Sequence, residues 1–203
     1  MDTTRDEEPA AVARGDKRAL RRRRVDATRN ADSLLAAAKT VFATSGVDAP
    51  AKAITDLAGV GVGTLYRHFP QRSDLVKAVL EHEIDACAGA AAVLSSAHEP
   101  AEALRMWLLR YTELLATKHG LASALHSEDA ALEGLREYFL QRLGPVVGSL
   151  LAEATARGSI RRDVSATDLL YSVALLCLPT PGEGREFNRR MVAVFIDGLR
   201  PGY

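Results

Sequence analysis

The chain has 203 residues, 47% apolar and 26% charged, with two cysteines and a formal net charge of zero. That length and apolar content suit one medium domain or two small ones with a buried core. No apolar run approaches the roughly 20 residues a membrane helix needs, and residues 1–30 carry no apolar segment of a secretory signal. The expectation is a soluble, cytoplasmic protein with no membrane partner. Cys87 and Cys177 sit in apolar helical patterns without zinc-ligand spacing and read as buried free thiols, so no metal or cofactor is expected. The zero charge hides a split. Residues 1–80 hold 14 basic and 10 acidic groups, residues 81–203 hold 12 and 16, and residues 17–77 alone hold 12 and 5. Such asymmetry suggests a basic surface for nucleic acid on a neutral-to-acidic body.

Residues 1–26 are polar, acidic and then basic, without apolar periodicity, and read as a disordered arm. Residues 17–29 contain seven basic groups and one acid. They suit either phosphate and minor-groove contact or a solvated tail. Leu34, Leu35, Ala38, Val41 and Phe42 mark a first amphipathic helix closed by Ser45-Gly46. Asp48 and Pro50 are start signals for a second, in which Ile54, Leu57 and Ala58 are expected to form the buried face. Gly59 can take the positive φ that ends it, and Val60 plugs the turn. A third helix from about Gly61 to Phe69 follows, anchored by Leu65 and Phe69 and stopped by Pro70.

A fourth helix, capped at Ser73 or Asp74, carries Leu75, Val76, Val79, Leu80, Ile84 and Cys87 on one face and reaches Ser95-Ser96. Pro100 opens a fifth with the stripe Leu104, Trp107, Leu108, Tyr111, Leu114 and Leu115, closing at Gly120. A short segment at Leu121–His126 comes next. Leu132, Leu135, Phe139, Leu143, Val146, Leu150 and Ala154 keep helical spacing through Gly144-Pro145, which predicts a kinked long helix or two abutting ones ending at Gly158. Ser165-Ala-Thr-Asp168 resembles a capping box and begins a helix through Leu178. After the loop Pro179–Gly184, the stripe Phe187, Met191, Val194, Phe195 and Leu199 marks the last helix. The fold class is all-α.

The second and third helices, joined by a glycine-bearing turn and ending in Thr64, Tyr66, Arg67 and His68, form a helix-turn-helix pattern. Residues 31–80, with the block Gly63-Thr-Leu-Tyr-Arg-His-Phe69 at the expected distance from Phe42 and Gly46, resemble the DNA-binding domain of the TetR family of transcriptional regulators. The stretch around Pro100–Leu125 is similar to SbtR-like C-terminal domains of that family. Beyond the arm over 1–26, the resemblance implies a three-helix DNA-binding head over 27–72 and a helical ligand-binding and dimerisation bundle over 73–203, with a linking helix between them. It implies a ligand-responsive repressor, acting as a homodimer on a palindromic double-stranded DNA operator.

Position by position, the resemblance implies that Lys52 reaches a base or phosphate, that Gly61, Val62 and Thr64 face the groove floor, and that Tyr66, His68 and Arg72 clamp the DNA backbone. Gly-Val-Gly at 61–63 departs from relatives that place long polar side chains there. Two glycines weaken the helix by about 1 kcal/mol each relative to alanine but let the backbone approach the bases. The resemblance also puts a four-helix dimer interface at 165–178 and 185–199, with Leu169, Val173, Leu176, Phe195 and Leu199 as apolar contacts; closing the monomer core is the competing role. Trp107, Tyr111, Phe139 and Tyr171, with Met106, His126 and Arg142 nearby in pattern, suit either a mostly apolar pocket for an unidentified small-molecule effector or plain core. No nucleophile motif, phosphate loop or paired carboxylates appear, so a helical enzyme is a weak rival. A sequence-indifferent DNA-coating protein is the other.

Overall fold

The computed structural model describes residues 28–121, 132 and 134–201. The arm and most of the Leu121–His126 segment lie outside the described residues. Among those described there are eight α-helices and no strand. They are α1 (28–45), α2 (Ala51–Ala58), α3 (Val62–His68), α4 (Arg72–Ala97), α5 (Pro100–Gly120), α6 (Leu135–Ala156), α7 (Ala166–Leu176) and α8 (Arg185–Asp197).

In the head, Leu34, Ala37, Ala38, Val41 and Phe42 bury one stripe of α1, which ends where Gly46 turns to φ 77°. Pro50 precedes α2, and Gly59 ends it at φ 69°, with the Val60 N–H returning to the Thr55 carbonyl at 3.1 Å. The buried face of α2 differs from the expected one. Ile54 and Thr55 are buried and Ala58 is half-buried, while Leu57 is 57% exposed. Residues 54, 55 and 58 lie within one turn's arc, and 57 falls beyond its edge. Thr55 satisfies its hydroxyl by donating to the Lys52 carbonyl at 3.1 Å. Only Leu65 of α3 is buried, and the Phe69 N–H closes the helix on the Leu65 carbonyl at 2.8 Å.

Helix α4 belongs to both halves. Leu75, Val76, Val79 and Leu80 complete the head's core, whereas Ile84, Cys87 and Ala88 pack into the body's. Its N-cap is Gln71 rather than Ser73 or Asp74, and the Asp74 carboxylate accepts from the Gln71 backbone N–H at 2.9 Å. The Lys39 ammonium meets Glu83 at 2.5 Å, so α1 is also tied to α4 across the head's edge. The two halves therefore meet along a continuous helix, not a flexible linker.

The body is built around α5, whose stripe Leu104, Trp107, Leu108, Tyr111, Leu114 and Leu115 is wholly buried. The Trp107 indole N–H donates to the Cys87 carbonyl at 2.9 Å, and the Tyr111 hydroxyl to the Leu170 carbonyl at 3.3 Å, so neither buried aromatic is left with an unmet donor. Helix α6 runs unbroken through Gly144-Pro145, with Leu143 and Val147 on either side fully buried. An internal proline costs about 3 kcal/mol, and packing of that buried face offsets it. The capping box of α7 forms as expected: the Asp168 N–H donates to Ser165 Oγ at 3.1 Å and the Ser165 N–H to Asp168 Oδ2 at 2.8 Å. Those bonds from Ser165 hold the Asp168 carboxyl below its usual value. On α8 the buried residues are Val192 and Ile196, followed by Leu199, and Val194 of the expected stripe points to solvent.

Candidate nucleic-acid interface and effector cavity

With one anchor among its seven residues, α3 is held by Leu65 and turns the rest of its surface outward. Val62 and Tyr66 are exposed, and Thr64 and His68 are half-exposed. Gly61 and Gly63 have no positive φ. A Cβ added at Gly61 would meet nothing within 4 Å, and one at Gly63 would meet only the Arg67 guanidinium at 3.8 Å. Neither the backbone nor the head's packing requires glycine at these positions, so the space they keep lies outside the molecule. Arg67, part of the helix-turn-helix pattern but without a role assigned by the resemblance, lies exposed along the same helix with its Nε donating to the Gly63 carbonyl at 3.0 Å.

Lys52 on α2 is exposed and pairs with both oxygens of Asp56 at 2.8 Å. An exposed i,i+4 pair contributes only about 0.3–0.5 kcal/mol, so exchanging Asp56 for an external anion costs little.

Arg72 is placed otherwise than expected. Its Nε donates to the Val47 carbonyl at 2.6 Å, its Nη2 donates to the Ala49 carbonyl, and its guanidinium lies 5.0 Å from the centre of the Phe42 ring. Burial pushes its pKa down, with Asp48 opposing. Two of its donor atoms are directed into the head, where they tie the α1–α2 connection to the first residue of α4. That geometry makes Arg72 a brace between the α1–α2 connection and α4. Sequence spacing held no sign of it, because the partners lie 25 and 23 residues away and are backbone carbonyls.

The expected interface residues divide. Leu169 and Val173 are 0% exposed and Leu199 is 4% exposed, so all three belong to the core of a single chain. Leu176 and Phe195 are half-buried against that core. The exposed apolar side chains of the terminal helix pair include Leu175 and Val194, each 66% exposed, and the Tyr171 ring, with Leu178 just past the end of α7.

The pocket expectation also divides. Tyr111, Phe139 and Tyr171 line a cavity of about 350 Å³ bounded by α4, α5, α6 and α7. Trp107 lies behind Tyr111, its ring stacked at 5.8 Å and shut away from solvent. Arg142 is drawn elsewhere, donating to Asp85 Oδ1 at 2.7 Å beside the Tyr138 hydroxyl, which donates to Oδ2 at 2.8 Å. These contacts latch α6 to α4. Met106 does not line the cavity, and His126 lies outside the described residues. A second cleft of about 470 Å³, between α5, α8 and Lys39 of α1, is lined by charges of both signs, including Glu113 and Arg189 at 3.4 Å.

Both cysteines are buried, and burial pushes the Cys87 thiol up to about 12 and the Cys177 thiol to about 11. Neither has the thiolate character of a redox sensor at neutral pH. Among the described residues no group of three His, Cys, Asp or Glu side chains is placed to hold a metal, and no helix is long and apolar enough to cross a membrane.

Comparison with known proteins gives matches to both halves. Residues 34–79 match the family of bacterial regulatory proteins, tetR family, and residues 99–201 match the transcriptional regulator SbtR-like, C-terminal domain. The HTH-type transcriptional repressor KstR2 of Mycolicibacterium smegmatis is 30% identical over 147 residues, or 69% of this chain and 71% of that relative. A TetR transcriptional regulator from Streptomyces coelicolor is 35% identical, with a TM-score of 0.73 over 85% of this chain and 99% of its own. The TetR transcription regulatory protein of Mycobacterium vanbaalenii is 34% identical, with a TM-score of 0.68 over 88% and 99%.

Proposed function

Because this chain belongs to the TetR family of transcriptional regulators, a family of DNA-binding proteins and not of enzymes, we propose that it is a cytoplasmic repressor that binds a palindromic operator as a homodimer and releases it when a small molecule fills the body. The observation that carries the reading is the outward face of α3. It combines glycines that no internal contact requires with an exposed Tyr66 and Val62 on a helix anchored by Leu65. Gly61 and Gly63 let the helix start approach the groove floor, where the Val62 side chain and the Thr64 methyl pack on thymine methyls. The Tyr66 hydroxyl, with His68 and Arg67, reaches phosphates, and Lys52 adds a base or phosphate contact from α2. Arg72 positions these groups through Val47 and Ala49.

One short helix reads too few base pairs to find an operator alone. Two copies related by a two-fold axis, with heads about one DNA turn (34–36 Å) or a multiple apart, supply the rest. The patch formed by Leu175, Leu178 and Val194, flanked by the half-buried Leu176 and Phe195, is the surface we assign to that contact. The basic residues of 17–29 add phosphate or minor-groove contact beside the main one.

Footprinting on the DNA flanking the protein's own gene, with competition by random duplex, tests the reading. A protected inverted repeat that survives a large excess of random DNA is expected. Equal displacement by any duplex, with a steep salt dependence, would establish the sequence-indifferent alternative instead.

A further inference from the structure

The cavity bounded by α4 to α7 has a charge pattern that its walls alone do not explain. Its interior is apolar and aromatic, with Leu114, Leu170 and the rings of Tyr111, Phe139 and Tyr171 among its lining. The charged side chains that line it are Lys118 and Arg136, both exposed, and no carboxylate lines it among the described residues. Neither cation has an ion-pair partner among the described residues. The Tyr111 hydroxyl already donates to Leu170, which leaves the two cations and the Tyr171 hydroxyl as the polar groups for a ligand. An apolar slot with two free cations and no acid suits a molecule with an apolar body and one anionic end.

We infer that the effector is an apolar monocarboxylate whose body fills the slot between Tyr111, Phe139 and Tyr171 and whose carboxylate is held by Lys118 and Arg136. At about 30 Å³ for each water-sized group, the 350 Å³ cavity holds on the order of a dozen non-hydrogen atoms. The planar guanidinium of Arg136 matches a carboxylate with two parallel N–H donors, and Lys118 adds a point charge. The inference rests on the regulator reading for its consequence. Leu80 and Ile84 of α4 also line the slot, and α4 begins at Arg72, which braces the head. A body wedged against Leu80 and Ile84 favours a different setting of α4, and with it a different spacing of the two heads.

Decanoate, with the uncharged decanol as its counterpart, tests this on the full chain. Trp107 is the single tryptophan and stacks on Tyr111 at 5.8 Å, so its fluorescence reports filling of the cavity. Decanoate is expected to bind about tenfold more tightly than decanol, and the surface double variant Lys118→Gln/Arg136→Gln to bring decanoate to the level of decanol without affecting the fold. Equal binding of acid and alcohol by the unaltered protein, a preference that persists in the double variant, or no binding of either probe would overturn the assignment. Footprints from the same preparation separate the two readings. A protected operator with no decanoate binding removes the carboxylate assignment and keeps the regulator; decanoate binding without any protected site does the reverse.

Discussion

The head and the terminal helix pair each turn an unpartnered surface to solvent, and the two surfaces are opposite in kind. On α3 a single residue, Leu65, is buried, and the outward positions are mostly polar or glycine, namely Gly63, Thr64, Tyr66, Arg67 and His68, with Val62 the one apolar side chain among them. On α7 and α8 the outward positions include Leu175 and Val194, as apolar as the buried Val173 and Val192 beside them. A polar, glycine-thinned surface is built for a hydrated, charged partner, whereas an apolar one is stable only when covered. The contrast follows from burial alone: α3 touches its own core at one point, while α7 and α8 carry more apolar residues than one core can take in.

The largest expected effect breaks the contrast at the apolar end. Leu175→Glu or Val194→Glu should yield folded monomers and weaken operator binding by about 100-fold or more, because a two-fold interface brings each new charge against its own copy. Sedimentation and operator binding on one sample decide it; variants that stay dimeric would move the interface elsewhere. Val173→Asp should instead unfold the body, since Val173 is wholly inside a single chain.

Within the head, Leu65→Ala should destabilise by about 2–5 kcal/mol, the range for truncating a buried leucine. Tyr66→Phe should stay within about 0.5 kcal/mol in the same denaturant melts, because its side chain is exposed. Comparable losses from both would mean that Tyr66 also anchors α3.

Arg72→Ala tests brace against clamp. It should lower head stability by about 2 kcal/mol, the scale of charged hydrogen bonds to carbonyls with partial exposure, and leave the slope of log K against log salt nearly unchanged. A slope smaller by about one, with stability intact, would return Arg72 to phosphate contact.

The smallest effect sharpens the polar end. Gly63→Ala should stabilise the protein by about 1 kcal/mol through helix propensity, since a Cβ there meets only the Arg67 guanidinium at 3.8 Å. Operator affinity should fall at the same time. Stabilisation without loss of affinity would show that the glycine keeps no room for DNA.

Local signals were legible because each is complete within a few residues. Gly46 and Gly59 supply the positive φ that ends α1 and α2, Ser165 and Asp168 cap each other, and the α5 stripe from Leu104 to Leu115 lies on one face. These determined the all-α class, the helix order and the helix-turn-helix pattern. Tertiary structure decided what depends on a choice between equal faces or on a distant partner. Leu169 and Val173 compete with Leu175 on the same short helix, and periodicity cannot say which face meets the body. Thr55 is buried and Leu57 exposed because the packing of α2 into the head's core sets the arc that is covered. Arg72 turns inward to carbonyls of Val47 and Ala49, and Trp107 backs the cavity instead of lining it, because both depend on elements brought together only by folding. A hydrogen bond or an apolar contact acts over a few ångströms, so sequence reports it only where the chain supplies both partners nearby.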